Sequence, residues 1–316
     1  MTLIVSAGCR DLFVIQMSDR LTTTFRDVGG YRVHDSEANK TVVYEAQDAI
    51  CSISYTGNAY VGLHPTEQWI ASTLHGEEFI RDDRGSLMSV GVGTSPHSHW
   101  PIRKALAELK RSARVRGAIV EVHIIGWRKR REHWLPFFTW FSTLKGHDAA
   151  DDLSWLNAWP RKRRLVVVAG GDPPNGEVID KMLRCELSRV GAEGMVESIA
   201  QLMRDRADQV ATIGKELTMV GISHPSNGVV VIRAMPFNAA NRIAMSDGEK
   251  IINVMDAFYS PWIVTPSGYI APSLFYGGGL VPPSNRFRID LQGPELKRTP
   301  GIHFALMTPP RRSRRN

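Results

Sequence analysis

Thr2-Leu3-Ile4-Val5-Ser6-Ala7, then Gly8-Cys9-Arg10-Asp11, then Leu12-Phe13-Val14-Ile15-Gln16-Met17 is the stretch whose reading decides the fold. Two apolar, largely β-branched runs joined by a turn predict a hairpin whose first strand starts at the chain terminus. Methionine aminopeptidases remove Met1 when a small residue such as threonine follows, so Thr2 is expected to begin the mature chain. A free α-amine next to a hydroxyl is a self-contained base and nucleophile, because an amine with a pKa near ~8 can take the hydroxyl proton at neutral pH.

The residues just beyond fit that chemistry. Ser18-Asp19-Arg20 closes the second strand. Lys40 lies in Glu37-Ala38-Asn39-Lys40-Thr41-Val42-Val43-Tyr44, where a third strand begins after a Gly-Gly turn. A lysine beside an N-terminal amine lowers the amine's pKa by like-charge repulsion and keeps it basic and neutral. A fourth strand, Ile50 to Tyr55, runs into Thr56-Gly57-Asn58-Ala59, where glycine lets a backbone N–H approach a reacting carbonyl as an oxyanion donor. Each residue also has a plainer reading. Lys40 reads as a surface lysine at a strand start, Asp19 and Arg20 as a structural ion pair, and Gly57 as a turn glycine.

The order terminal Thr, Ser-Asp-Arg, Asn-Lys, Thr-Gly-Asn-Ala resembles the N-terminal-nucleophile hydrolases, and among them the proteasome β-subunit and bacterial proteasome-like branch. The resemblance implies Thr2 as nucleophile, Asp19 and Lys40 as the pair that tunes it, and Gly57 as the oxyanion donor. The family reads Asp-Ser-Arg where this chain reads Ser18-Asp19-Arg20, so with Arg20 held in register Ser18 takes the acidic position and Asp19 turns to the other face. The resemblance covers about residues 2 to 235.

Further along, Thr66 to Leu74 and Pro101 to Ala113 predict two helices, with Trp69, Ile70, Thr73 and Leu74 on one face of the first and Ile102, Ala105, Leu106 and Leu109 on one face of the second. Residues 60 to 116 as a whole read as helical, with a loop around Gly91, Gly93, Ser95 and Pro96. His97 and His99 alternate there, and with no third ligand nearby they read as loop histidines. Ala118 to Trp127, Phe137 to Leu144 and Arg164 to Gly171 read as strands, and the Gly126-Trp127 and Ala169-Gly170-Gly171 endings again resemble the family. The serine the family often has beside that glycine pair is not present. Glu177 to Ala211 reads as helix, with Met195, Val196, Ile199, Leu202 and Met203 at three- and four-residue spacing. Ile213 precedes Gly214 where the family commonly has a serine, and the nearest acid is Asp208. Strands follow to Ile222 and from Gly228 to Met235. Beyond Pro236 the chain shows an ambiguous stretch at Ile251 to Met255, a hairpin turning at Pro266-Ser267-Gly268 and a Gly277-Gly278-Gly279 loop.

A 316-residue chain with 43% apolar residues can bury a large core. Cys9, Cys51 and Cys185 form no zinc pattern, which makes a reducing cytoplasm the default. Arg10 and Asp11 interrupt the N-terminal apolar run, so no signal peptide is expected, and no stretch is long enough to span a bilayer. The net charge of +7 is concentrated in Arg128-Lys129-Arg130-Arg131, Arg161-Lys162-Arg163-Arg164 and Arg311-Arg312-Ser313-Arg314-Arg315, which rank as solvated or disordered segments ahead of a nucleic-acid surface.

The expectation is an α+β protein, a four-layer αββα sandwich with two stacked antiparallel sheets. It divides into a core at 1–235, a β-rich extension at 236–307 and a basic, disordered tail at 308–316. The expected activity is hydrolysis of a peptide or other amide through an acyl-enzyme on Thr2. It needs neither metal nor organic cofactor, and the resemblance implies self-association. The competing expectation is an inactive scaffold of the same fold that binds a partner, with a nucleic-acid binder third.

Overall fold

The apolar runs at the chain start form the expected hairpin. β1 (Leu3–Cys9) pairs antiparallel with β2 (Phe13–Asp19), placing Ile4 opposite Ser18 and Ala7 opposite Ile15. The computed structural model describes residues 2–9, 12–26, 30–35, 38–78, 90–143, 165–173, 176–225, 230–237, 242–247, 250–256, 258–259, 261–272, 274–275, 278–280 and 287–291. A second hairpin, β3 (Thr22–Arg26) and β4 (Gly30–Asp35), leads to β5 (Thr41–Ala46) and β6 (Ala49–Gly57). The two-residue strands β7 (Tyr60–Val61) and β8 (His64–Pro65) precede α1 (Thr66–His75). Pro65 fits the position just before the first helical turn, and Gly76 ends the helix in the left-handed conformation, its N–H donating to Ser72 C=O at 2.8 Å.

β9 (Val90–Val92) and α2 (Ile102–Val115) follow. Asp48, in the turn between β5 and β6, caps the start of α2 by accepting from Ile102 N–H at 2.7 Å, and it also accepts from Arg128 Nε at 2.8 Å. Next come β10 (Val120–Arg130), β11 (His133–Ser142), β12 (Leu165–Gly171), α3 (Gly176–Gln209), β13 (Leu217–Ser223) and β14 (Val230–Phe237). Among the described residues β15 (Arg242–Asp247) pairs only with β16 (Lys250–Asp256), and β17 (Phe258–Tyr259) with β20 (Leu274–Phe275). β18 (Trp262–Thr265), β19 (Gly268–Ile270), β21 (Gly278–Leu280) and β22 (Phe287–Leu291) complete the set.

Two seven-stranded sheets organise these elements. The first runs β12-β1-β2-β13-β14-β22-β21 and the second β11-β10-β6-β5-β18-β19-β9. Side-chain alternation divides the core into three apolar clusters. Leu3, Val5, Ala7, Ile15 and Met17 pack with Ile179, Leu183, Met195, Ile199 and Met203 of α3. Val14, Val220 and Ile222 of the first sheet meet Val43, Ile50, Ile125 and Trp127 of the second. The other face of the second sheet, with Val42, Tyr44, Ile53, Val122 and Ile124, packs against Trp69, Ile70, Leu74, Leu106 and Leu109 of α1 and α2. Trp127 is fully buried and its Nε1–H donates to Ile222 C=O at 3.1 Å, so this indole ties one sheet to the other. The fold is α+β, and no helix among the described residues is long and apolar enough to cross a membrane.

The expected antiparallel sheets and glycine loops are corrected. The sheets are mixed, because β5–β18 and β14–β22 pair parallel, as strands joined by long crossovers can. The residues expected to be a loop around Gly91 include strand β9, which pairs with the distant β19, and Gly278 to Leu280 is a strand and not part of a glycine loop, since it pairs antiparallel with β22. Of the strands in the β-rich stretch expected at 236–307, β18 and β19 belong to the second large sheet and β21 and β22 to the first. The basic runs at 161–164 and 311–315, and the tail at 308–316, lie outside the described residues.

Candidate active site

Three chain segments converge on Lys40. Thr2 precedes β1, Asp19 ends β2 and Lys40 precedes β5, and they are 5%, 0% and 1% exposed. Lys40 Nζ donates to Thr2 Oγ1 at 2.8 Å, to Asp19 Oδ2 at 3.2 Å and to Leu21 C=O. These three acceptors match the three hydrogens that an ammonium carries. The buried Asp19 carboxylate requires that positive partner, since an uncompensated charge at such a site costs several kcal/mol. Its oxygens also accept from Leu3 N–H at 2.9 Å, Leu21 N–H at 3.1 Å and Gly214 N–H at 3.1 Å.

The expectation that Ser18 takes the acidic position and Asp19 turns away is corrected, because it is Asp19 that contacts Lys40. Ser18 faces the second sheet, its Oγ 3.1 Å from Thr41 Oγ1, while Asp19 meets Lys40 where β2 ends and the chain bends through Leu21. Arg20 lies 3.8 Å from Glu216, and Asp19 is paired with Lys40. Lys40 is enclosed, which removes its reading as a surface lysine.

Gly57 ends β6 with φ +110°, a conformation that favours glycine, and a Cβ there would lie 2.3 Å from Ile119 C=O. It stands two residues beyond Tyr55, whose N–H donates to Lys40 C=O at 3.3 Å. Asp208 pairs with Lys215 on the surface and takes no part in the cluster. His97 stacks on Trp100 with ring centroids 3.4 Å apart.

Two glycines that sequence reading did not assign to the site support it. A Cβ on Gly214 would lie 2.7 Å from Leu21 Cβ, so glycine lets its N–H reach Asp19. Gly171, opposite Leu3 in the ladder, has φ +82°, and a Cβ there would lie 1.6 Å from Thr2 C=O. Gly171→Ala is therefore expected to destabilise the protein by more than about 2 kcal/mol through strain and collision, measured by urea unfolding. A wild-type midpoint in that variant would refute the tight placement of Thr2.

Burial pushes the Cys51 thiol well above its usual range, with the Asp48 charge adding to the effect, so it is an inert core group and no rival nucleophile. A cavity of about 360 Å³ opens elsewhere, beside α1 and α2, lined by Trp69, His97, Glu108 and Arg111 among others.

No protein-family model matches the chain, and no curated protein does. Among solved structures the chain is similar to the Anbu (Gly-1) mutant from Hyphomicrobium sp. strain MC1, at 13% identity over 71% of this chain and 82% of that one, with a TM-score of 0.41. It is also similar to Anbu, an ancestral beta-subunit, from Yersinia bercovieri, at 12% identity over 69% of this chain and 80% of that one, with a TM-score of 0.40.

Proposed function

We propose that the chain is an amide hydrolase of the N-terminal-nucleophile type, built on a four-layer αββα sandwich, with Thr2 as nucleophile once Met1 is removed. The observation that carries this reading is the buried Thr2–Lys40–Asp19 cluster, with Lys40 Nζ 2.8 Å from Thr2 Oγ1. Lys40 acts as a donor toward Thr2 Oγ1, which leaves the Thr2 α-amine to act as base.

In the reaction, the neutral α-amine takes the Oγ proton, directly or through a water, and Oγ attacks the amide carbon. The carbonyl oxygen becomes an oxyanion stabilised by Gly57 N–H. The C–N bond then breaks as the α-ammonium returns its proton to the leaving amine, leaving an ester on Thr2. Water, deprotonated by the same amine, hydrolyses the ester and restores the hydroxyl. The positive charge of Lys40 disfavours a second cation on Thr2 and draws electron density from Oγ. No step calls for a metal or organic cofactor. The substrate class is a peptide, and self-association of the chain belongs to the same reading.

The test is intact-mass measurement before and after treatment with an epoxyketone or β-lactone. The expected result is loss of Met1 and one adduct, mapped to Thr2 and lost in Thr2→Ala. A retained Met1 or an unmodified Thr2 would sink the proposal. A second reading, a partner-binding scaffold of the same fold, draws on the near-complete enclosure of Thr2. It expects no adduct.

A further inference from the structure

Thr2 and Asp19 flank strands of the first sheet and Lys40 flanks a strand of the second, so the contact between Lys40 and Thr2 depends on how far apart the sheets are held. Over much of the interface that spacing is set by apolar side chains. Next to the site it is set by hydrogen bonds.

Gln16 crosses from β2 with all four of its hydrogen-bonding valences used. Its Nε2 donates to Ser6 Oγ at 3.2 Å and to His123 C=O at 3.1 Å, and its Oε1 accepts from Ser52 Oγ at 2.7 Å and Ser54 Oγ at 2.9 Å. The His123 carbonyl can only accept, which fixes which end of the amide carries the hydrogens. The order of the neighbouring hydroxyls follows. Ser54 has given its hydrogen to Gln16, so across their 2.9 Å contact Thr41 must donate to Ser54. Thr41 then has none left for Ser18, and across that 3.1 Å contact Ser18 must donate to Thr41. Protons run one way, Ser18 to Thr41 to Ser54 to Gln16. Ser18 and Thr41 are the immediate chain neighbours of Asp19 and Lys40, and they sit on opposite sheets.

We infer that Gln16 and Thr41 are positioning residues for the Lys40–Thr2 contact, acting as a directional clamp between the sheets at the site. The catalytic consequence rests on the proposed function; the clamp itself does not. Apolar faces tolerate sliding and repacking, whereas a hydrogen bond weakens steeply as its angle and length depart from their optimum. A displacement of about 1 Å of a reacting group can cost on the order of a hundredfold in rate.

The test compares Thr41→Val, which keeps the side-chain shape and loses the hydroxyl, with Thr41→Ser, which keeps the hydroxyl. Ser54→Ala, which breaks the same chain one link further on, serves if Thr41→Val does not fold. Two quantities are read. One is the hydrogen-exchange rate of the Lys40 ammonium by nitrogen-resolved NMR; the other is β-lactone acylation of Thr2, separated into binding and rate constants. In Thr41→Val or Ser54→Ala the ammonium is expected to exchange at least about tenfold faster. Acylation is expected to slow by about tenfold or more at unchanged binding, with Thr41→Ser near wild type in both. Wild-type ammonium exchange in the variants that lack a hydroxyl would overturn the clamp. Faster exchange in a protein whose wild type never acylates would support the clamp and refute the hydrolase reading.

Discussion

Lys40→Met is expected to slow acylation of Thr2 by about a hundredfold to a thousandfold, the scale seen when one preorganised donor is removed from a reacting centre. The methionine keeps most of the buried volume, so the loss reports the charge and its hydrogen bonds. Thr2 Oγ1 would lose the donor at 2.8 Å, and Asp19 would lose the cation 3.2 Å away. The measurement is the rate of β-lactone adduct formation by intact mass at saturating reagent. A variant that acylates at the wild-type rate would remove Lys40 from the chemistry and leave it a structural ion.

Asp19→Ala is expected to produce the largest loss of stability, about 3–5 kcal/mol, because it leaves the Lys40 cation buried without its counter-charge. It also orphans Leu3, Leu21 and Gly214 N–H, which all converge on that carboxylate. Lys40→Met should cost less, toward the lower end of the same range, since three backbone N–H groups still hydrogen-bond the Asp19 carboxylate. Urea unfolding of the two single variants and of the double variant Asp19→Leu with Lys40→Met checks the order. The double variant should be more stable than Asp19→Ala, because no unpaired charge remains. Equal losses in the two single variants would show that the backbone donors do not stabilise the carboxylate.

Much of the first half of the chain was legible because its signals are local. The terminal hairpin, the amphipathic stripe of α2 and the apolar strand run that becomes β10 follow from side-chain pattern and turn chemistry, and each appears close to where its pattern placed it. The strands after residue 236 were harder to read. β18 and β22 are short and find their parallel partners β5 and β14 across long stretches of chain, and a local pattern does not name a distant partner. β9 shows the same difficulty, since three residues around a glycine become a strand only because β19 lies alongside.

The candidate site divides along the same line. Sequence alone supplied a threonine next to the chain start, a hairpin behind it, and an acid, a lysine and a glycine in a recognisable order. Those properties are covalent or periodic, and no fold is needed to see them. Only the tertiary structure decided that Asp19 meets Lys40 and that Ser18 joins the hydroxyl chain, that Gly171 and Gly214 admit the close approaches around Thr2 and Asp19, and that Gln16 ties the sheets together beside them. The reason is physical. These contacts join residues up to 195 positions apart, and their distances are set by how two sheets pack, which no short stretch of sequence encodes.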